Sequence, residues 1–189
     1  MGMDPQILQL IQEIENAFDD VSREDGLTLH EANAIDDWKT IPEQHFARKL
    51  DCETRWQDVP EQAIVSYGSA LSFLDAKGFR YYLPAFMIFA LRNWDNQYGR
   101  VADSCVFHLL HEKQKSLRQS NPGSIAEMYG FTQAQSRAIA HFLRFVAGPD
   151  DEFTVEERPT IEAVARWEHY VANQSSCAGN QQMPGADSP

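Results

Sequence analysis

The longest nearly apolar stretch of this chain, Tyr81–Leu91, runs for eleven residues, contains Pro84 and is bracketed by Arg80 and Arg92. A helix that crosses a membrane needs about 20 such residues. Eleven are too few, so the stretch has to be buried in protein, and the rest of the chain has to supply the elements that cover it. With 189 residues and 43% hydrophobic side chains there is enough chain for one domain with a real core, and too much apolar side chain for disorder.

The cover reads as helical. From Asp4 to about Arg23, the residues Ile7, Leu8, Ile11, Ile14, Phe18 and Val21 recur every three or four positions. That spacing draws one stripe along an amphipathic helix, with Asp4 as N-cap and Pro5 as its first residue. Thr28-Leu29-His30-Glu31 has the form of a capping box and opens a second helix to about Trp38. Pro42 starts a third, with Phe46 and Leu50 on one face, continuing toward Trp56. After Val59-Pro60 the pattern passes through Ile64, Tyr67, Leu71 and Leu74 to a turn at Asp75-Ala76-Lys77-Gly78.

Phe79–Leu83 is rich in aromatics and reads as an extended crossing, after which Pro84 begins a central helix that is apolar nearly all round. Further helices are expected over about Ser104–Arg118, over Ile125–Tyr129 closed by Gly130, from the Thr132 and Gln135 capping box to Gly148-Pro149, and from Pro159 through Val171. The expected fold class is all-α, a compact multi-helix single domain over residues 1–172. It has one short extended segment near 79–83, and residues 173–189 form a disordered polar tail.

The net charge of −12 is unevenly placed. Residues 1–61 hold 15 acidic and 5 basic side chains, residues 62–147 hold 5 and 9, and residues 148–189 hold 8 and 2. Binding of nucleic acid through its phosphates needs clustered Lys and Arg, so nucleic acid is excluded as a partner. Such a surface suits solubility or attraction to a basic protein. The start, Met1-Gly2-Met3-Asp4-Pro5, lacks the basic and apolar regions of a secretory signal, and Gln6 stands where a myristoylation pattern wants Ser or Thr. The expected location is the cytoplasm, with no membrane contact. Cys52, Cys105 and Cys177 are odd in number and far apart, so neither a disulfide framework nor a zinc site is expected. Cys52 and Cys105 read as small buried residues and Cys177 as exposed.

Three groups could carry chemistry. His108, His111 and Glu112 share a helix face, but Lys115 falls between the histidines, and stepping at about 100° per residue sets them opposite Val106, Leu109, Leu110 and Leu117. A solvated face is the expectation, not a metal site. His30, Glu31, Asp36 and Asp37 form an acidic cluster, but Ala34 stands where a zinc protease needs its second histidine. Asp36 projects toward the apolar stripe and is expected to pair with Arg48 or Arg55. Asp75, Arg80, Tyr81 and Tyr82 surround the central turn, where aromatic area and directed hydrogen bonds could line a pocket or fill the core. No nucleophile elbow or phosphate-binding glycine loop occurs; Gly68-Ser69 lacks the flanking glycines.

The string Phe73-Leu74-Asp75-Ala76-Lys77-Gly78-Phe79-Arg80-Tyr81-Tyr82-Leu83-Pro84-Ala85 resembles the centre of an uncharacterised bacterial family of unknown function. So do Gly26–Ala32 with Ile35-Asp36-Asp37, Arg48 with Asp51, Trp56 and Pro60, and the late helix from Thr132 through Leu143. The resemblance covers about residues 10–170. It implies one compact bacterial domain and brings no activity, cofactor or catalytic residue.

The reading favoured by these residues is a non-enzymatic acidic interaction domain, of the inhibitor or immunity type, for a basic protein partner. Its candidate binding residues are Asp36, Asp37, Asp75, Arg80, Tyr81 and Tyr82; no catalytic residue, metal or cofactor is expected. The alternative is a hydrolase-like enzyme with a dispersed Asp, His, Arg and Tyr site near the central turn. A cleft on which Asp36, Asp75 and Arg80 converge would mark the enzyme, and a shallow face the binding protein.

Overall fold

A computed structural model describes residues 3–94, 99–110, 121–148 and 158–179, and among them the fold is all-α, without strands. Helix α1 spans Pro5–Phe18, α2 Leu29–Asp36, α3 Ile41–Arg48, α4 Glu61–Ser66 and α5 Ala76–Arg92. Helix α6 spans Gly99–Leu110, α7 Pro122–Tyr129, α8 Gln133–Ala147 and α9 Arg158–Gly179. Single 3-10 turns at Trp56–Asp58 and Ala70–Ser72 link the middle elements. No described helix is long and apolar enough to cross a membrane.

Helix α5 is the hub: every residue from Tyr81 to Leu91 is buried, and α1, α4, α6 and α7 pack around it. On the outer side α8 lies against α1 and α9, while α2 and α3 form a hairpin at one edge. The extended crossing expected over 79–83 is not there, because α5 already begins at Ala76. Asp75 is its N-cap, accepting from the Gly78 N–H at 2.8 Å. Pro84 sits inside the helix, where it removes the donor that would serve the Arg80 carbonyl at a typical cost of about 3 kcal/mol. Burial on all sides outweighs both that loss and the strand preference of Phe79, Tyr81 and Tyr82.

The other helix starts follow the capping chemistry of the sequence. Asp4 accepts from Gln6 N–H at 2.7 Å, and the Thr28/Glu31 and Thr132/Gln135 boxes both form. Helix α7 ends on Gly130 at φ 66°, the left-handed turn that glycine allows without strain. Helix α3 is shorter than expected and α9 longer, running to Gly179; residues 180–189 lie outside the described part.

The loop before α2 meets the first turn of α5 backbone to backbone. A Cβ on Gly26 would fall 2.6 Å from the Gly78 nitrogen, and one on Gly78 would fall 2.5 Å from the Leu27 carbonyl oxygen. The Asp75 carboxylate closes this junction by also accepting from Leu27 N–H at 3.0 Å. The α2–α3 hairpin is thereby fixed to the core through a seam with no room for side chains.

Candidate functional site

Beneath the hairpin lies a buried polar knot built on Asp51 and Glu53. Both Asp51 oxygens bond His30, one accepting from its backbone N–H at 3.0 Å and the other 2.8 Å from ring Nδ1. A carboxylate there complements the N-terminal end of α2. The His30 ring stands edge-on to Tyr67, 4.6 Å between centroids. Glu53 accepts from Arg23 at 2.9 Å and from the Tyr82 hydroxyl at 2.6 Å, and the Arg23 guanidinium lies over the Tyr81 ring at 5.4 Å. Glu31 closes the knot: besides its capping role it accepts from Arg48 at 2.6 Å, and Arg48 also reaches the Asp25 carbonyl oxygen. Burial drives the Tyr81 hydroxyl up to about 12, with Glu53 adding to the shift, and pushes Tyr82 higher still. Neither phenol is poised for proton transfer near neutrality.

Most of the sequence-selected residues have partners within the fold. Asp75 caps α5 and ties down Leu27. Arg80 donates to the Gly130 carbonyl at 3.2 Å, and Tyr81 and Tyr82 are fully buried around Glu53. Arg48 serves Glu31, so the pairing expected for it with Asp36 is replaced by one five residues back along α2. Asp36 is half-exposed, and Asp37 is exposed with its carboxylate 3.2 Å from the Asn33 amide. His108, expected on a solvated face, is buried, with its Nε2 3.1 Å from Ser72 Oγ; His111 and Glu112 lie outside the described residues. Cys52, expected inside, is exposed between Asp51 and Glu53, whereas Cys105 is buried as expected. Among the described residues no three metal-binding side chains group together.

The outer face of the hairpin is the opposite of this knot. Helix α3 has no buried residue, and Ile41, Phe46 and Leu50 are 61%, 66% and 53% exposed. The helix face expected to carry both Phe46 and Leu50 does not form, because α3 ends at Arg48 and Leu50 lies in the turn after it; both side chains are exposed. Trp38 is 94% exposed and sits at φ 56°.

The cause of that angle is local. Trp38 N–H donates to the Ile35 carbonyl and Lys39 N–H to the Ala34 carbonyl, the hydrogen-bond pair that ends a helix through a left-handed residue. Glycine normally fills this position because any Cβ there is strained. Here the position carries the largest side chain available. Scattered exposed apolar residues are ordinary, but four within 13 consecutive residues make this an unusually apolar exposed stretch of chain. Asp36 and Asp37 precede it in the chain, and Glu43 lies within it, its carboxyl held below the usual range by hydrogen bonds from Thr40.

The hairpin thus carries exposed aromatic and aliphatic side chains close in sequence to acidic ones, on an all-α domain. The chain belongs to a family of unknown function, DUF6714, whose pattern matches residues 7–172. Comparison with curated proteins and with solved structures finds no match.

Proposed function

We propose that this protein works as an interaction module that presents Trp38, Phe46 and Leu50 to an apolar groove on a partner protein with a basic rim. The observation that carries this is Trp38: a nearly fully exposed indole on a strained backbone position where glycine would serve the fold better. Strain of this kind persists when the side chain is wanted for something outside the fold. Tryptophan is also the residue most enriched among those that dominate binding energies.

Charge argues for the chemistry of the partner. Asp36 and Asp37 immediately precede Trp38 in an N-terminal third with net charge −10, which draws a basic surface and repels an acidic one. An acidic face of this kind suits an inhibitor or immunity protein that covers a basic partner, acting in the cytoplasm of a bacterial cell. The knot of Asp51, Glu53, Arg23 and Arg48 then has a mechanical role. It holds the hairpin rigid, so that little ordering entropy is lost on docking.

The experiment is a tagged full-length chain passed through its native cell extract beside its Trp38→Gly and Asp36→Asn/Asp37→Asn variants, at low and high salt. A single basic protein retained by the wild type, lost with Trp38→Gly, weakened by the Asp variant and by salt, and then bound directly after purification is the expected result. Retention of the same proteins by wild type and Trp38→Gly would overturn the proposal. So would a concentration-dependent dimer that Trp38→Gly dissolves, since the occupant of the face would then be a second copy.

A further inference from the structure

A second feature lies away from the hairpin and does not depend on the reading of it. The Ser72 hydroxyl sits 3.1 Å from His108 Nε2. The two are 36 residues apart in sequence, Ser72 in the 3-10 turn and His108 in α6, so nothing in the linear pattern announces them. Their exposures differ in a useful way: Ser72 is exposed, whereas His108 is only 5% exposed and stands edge-on to the buried Phe79 ring at 5.7 Å between centroids. An accessible hydroxyl backed by a buried imidazole is the arrangement that nucleophilic catalysis uses. Both residues line one open cleft of about 660 Å³ between α4 and α6, within the range of small-molecule sites.

We propose that Ser72 is an activated nucleophile with His108 as its general base, and that this cleft accepts the acyl group of a small uncharged or cationic ester. The cleft wall sets the class. Val65, Val101 and Phe107 supply apolar area for an acyl chain, and Asp103 supplies a carboxylate that disfavours anionic substrates. Ser66 and Ser69 also line the cleft and carry the hydroxyls that could serve a developing oxyanion. Ser104 Oγ already donates to the Gly68 carbonyl at 3.0 Å, which ties α6 to the turn that carries Ser69.

The chemistry balances with water as the only co-reactant. Ser72 Oγ adds to the ester carbonyl carbon while its proton passes to His108 Nε2, which requires the tautomer with the proton on Nδ1. Collapse breaks the bond to the alcohol oxygen, which takes the proton from Nε2 and leaves as alcohol, and an acyl-serine remains. Water then adds to that carbonyl with the same imidazole as base, and Ser72 leaves with the proton as the carboxylic acid is released.

The test is labelling of the full-length protein with an uncharged alkyl fluorophosphonate, read by intact mass and peptide mapping. A single adduct on Ser72 is expected, absent in Ser72→Ala and formed about 100-fold more slowly in His108→Gln, the usual size of a general-base contribution. Ser72→Ala removes one exposed hydroxyl, so it serves even where His108→Gln does not fold. A second readout is hydrolysis of an acyl p-nitrophenyl ester, with a burst from the wild type that Ser72→Ala abolishes. No adduct on Ser72 in the folded wild type, or an unchanged labelling rate in a folded His108→Gln variant, would overturn the assignment.

Discussion

Replacing Trp38 by glycine should make the protein more stable, which is the reverse of what losing a tryptophan ordinarily does. An L-residue in the left-handed region carries a penalty of roughly 1–2 kcal/mol that glycine escapes. The indole is 94% exposed, so its removal returns almost no buried area to water. Glycine loses more backbone freedom on folding, which takes back roughly 0.5–1 kcal/mol. The net expectation is a gain of about 0.5–1 kcal/mol, or a rise in Tm of roughly 1–4 °C for a chain of this size. Urea unfolding followed by circular dichroism reads it as a higher midpoint at unchanged slope. Trp38→Ala, which keeps the Cβ and its strain, should stay within about 0.5 kcal/mol of the wild type. A loss of more than about 1 kcal/mol in Trp38→Gly would refute the reasoning, because the indole would then be packing on the fold instead of being held out from it.

The knot and the seam give further expectations. Glu53→Ala leaves the Arg23 guanidinium and the Tyr82 hydroxyl without their shared acceptor, and should cost about 3 kcal/mol in denaturant titration. Gly78→Ala should destabilise by about 2 kcal/mol although alanine is the better helix former, because its Cβ would meet the Leu27 carbonyl oxygen; an increase in stability would show that the seam can open. Burial raises the hydroxyls of Tyr81, Tyr82 and Tyr129 in the folded state. Their contribution to stability is complete below the unfolded tyrosine value of about 10 and is lost as pH rises through their folded values. Urea midpoints should therefore fall above about pH 10, and Tyr81→Phe should blunt the fall; a flat profile there would contradict the burial of these rings.

What could be read along the chain was what neighbouring residues decide. Thr28 with Glu31 and Thr132 with Gln135 announce helix starts because the capping bonds join residues three apart. Pro84 misled because proline commonly opens a helix, and only packing on every side shows why it is tolerated in the middle of α5. Phe46 and Leu50 were expected on one helix face, but α3 stops at Arg48 and both side chains are exposed: periodicity says neither where a helix ends nor what covers its face. His108 shows the same limit from the other side: α6 is buried over a wider arc than its leucines mark. The contacts that define the sites were out of reach for a different reason. Glu53 meets Tyr82 across 29 residues and Ser72 meets His108 across 36, and no local pattern encodes such pairs.

That the outer face of α2 and α3 is a binding surface is tested most directly by calorimetric titration of the captured partner against wild type and Trp38→Gly. The two proteins should be equally folded, the variant somewhat the more stable. The expected result is an affinity at least 30-fold weaker in the variant, about 2 kcal/mol for the loss of a dominant tryptophan. Equal affinities would contradict the proposal, because the side chain that the backbone is strained to display would then be contributing nothing to binding.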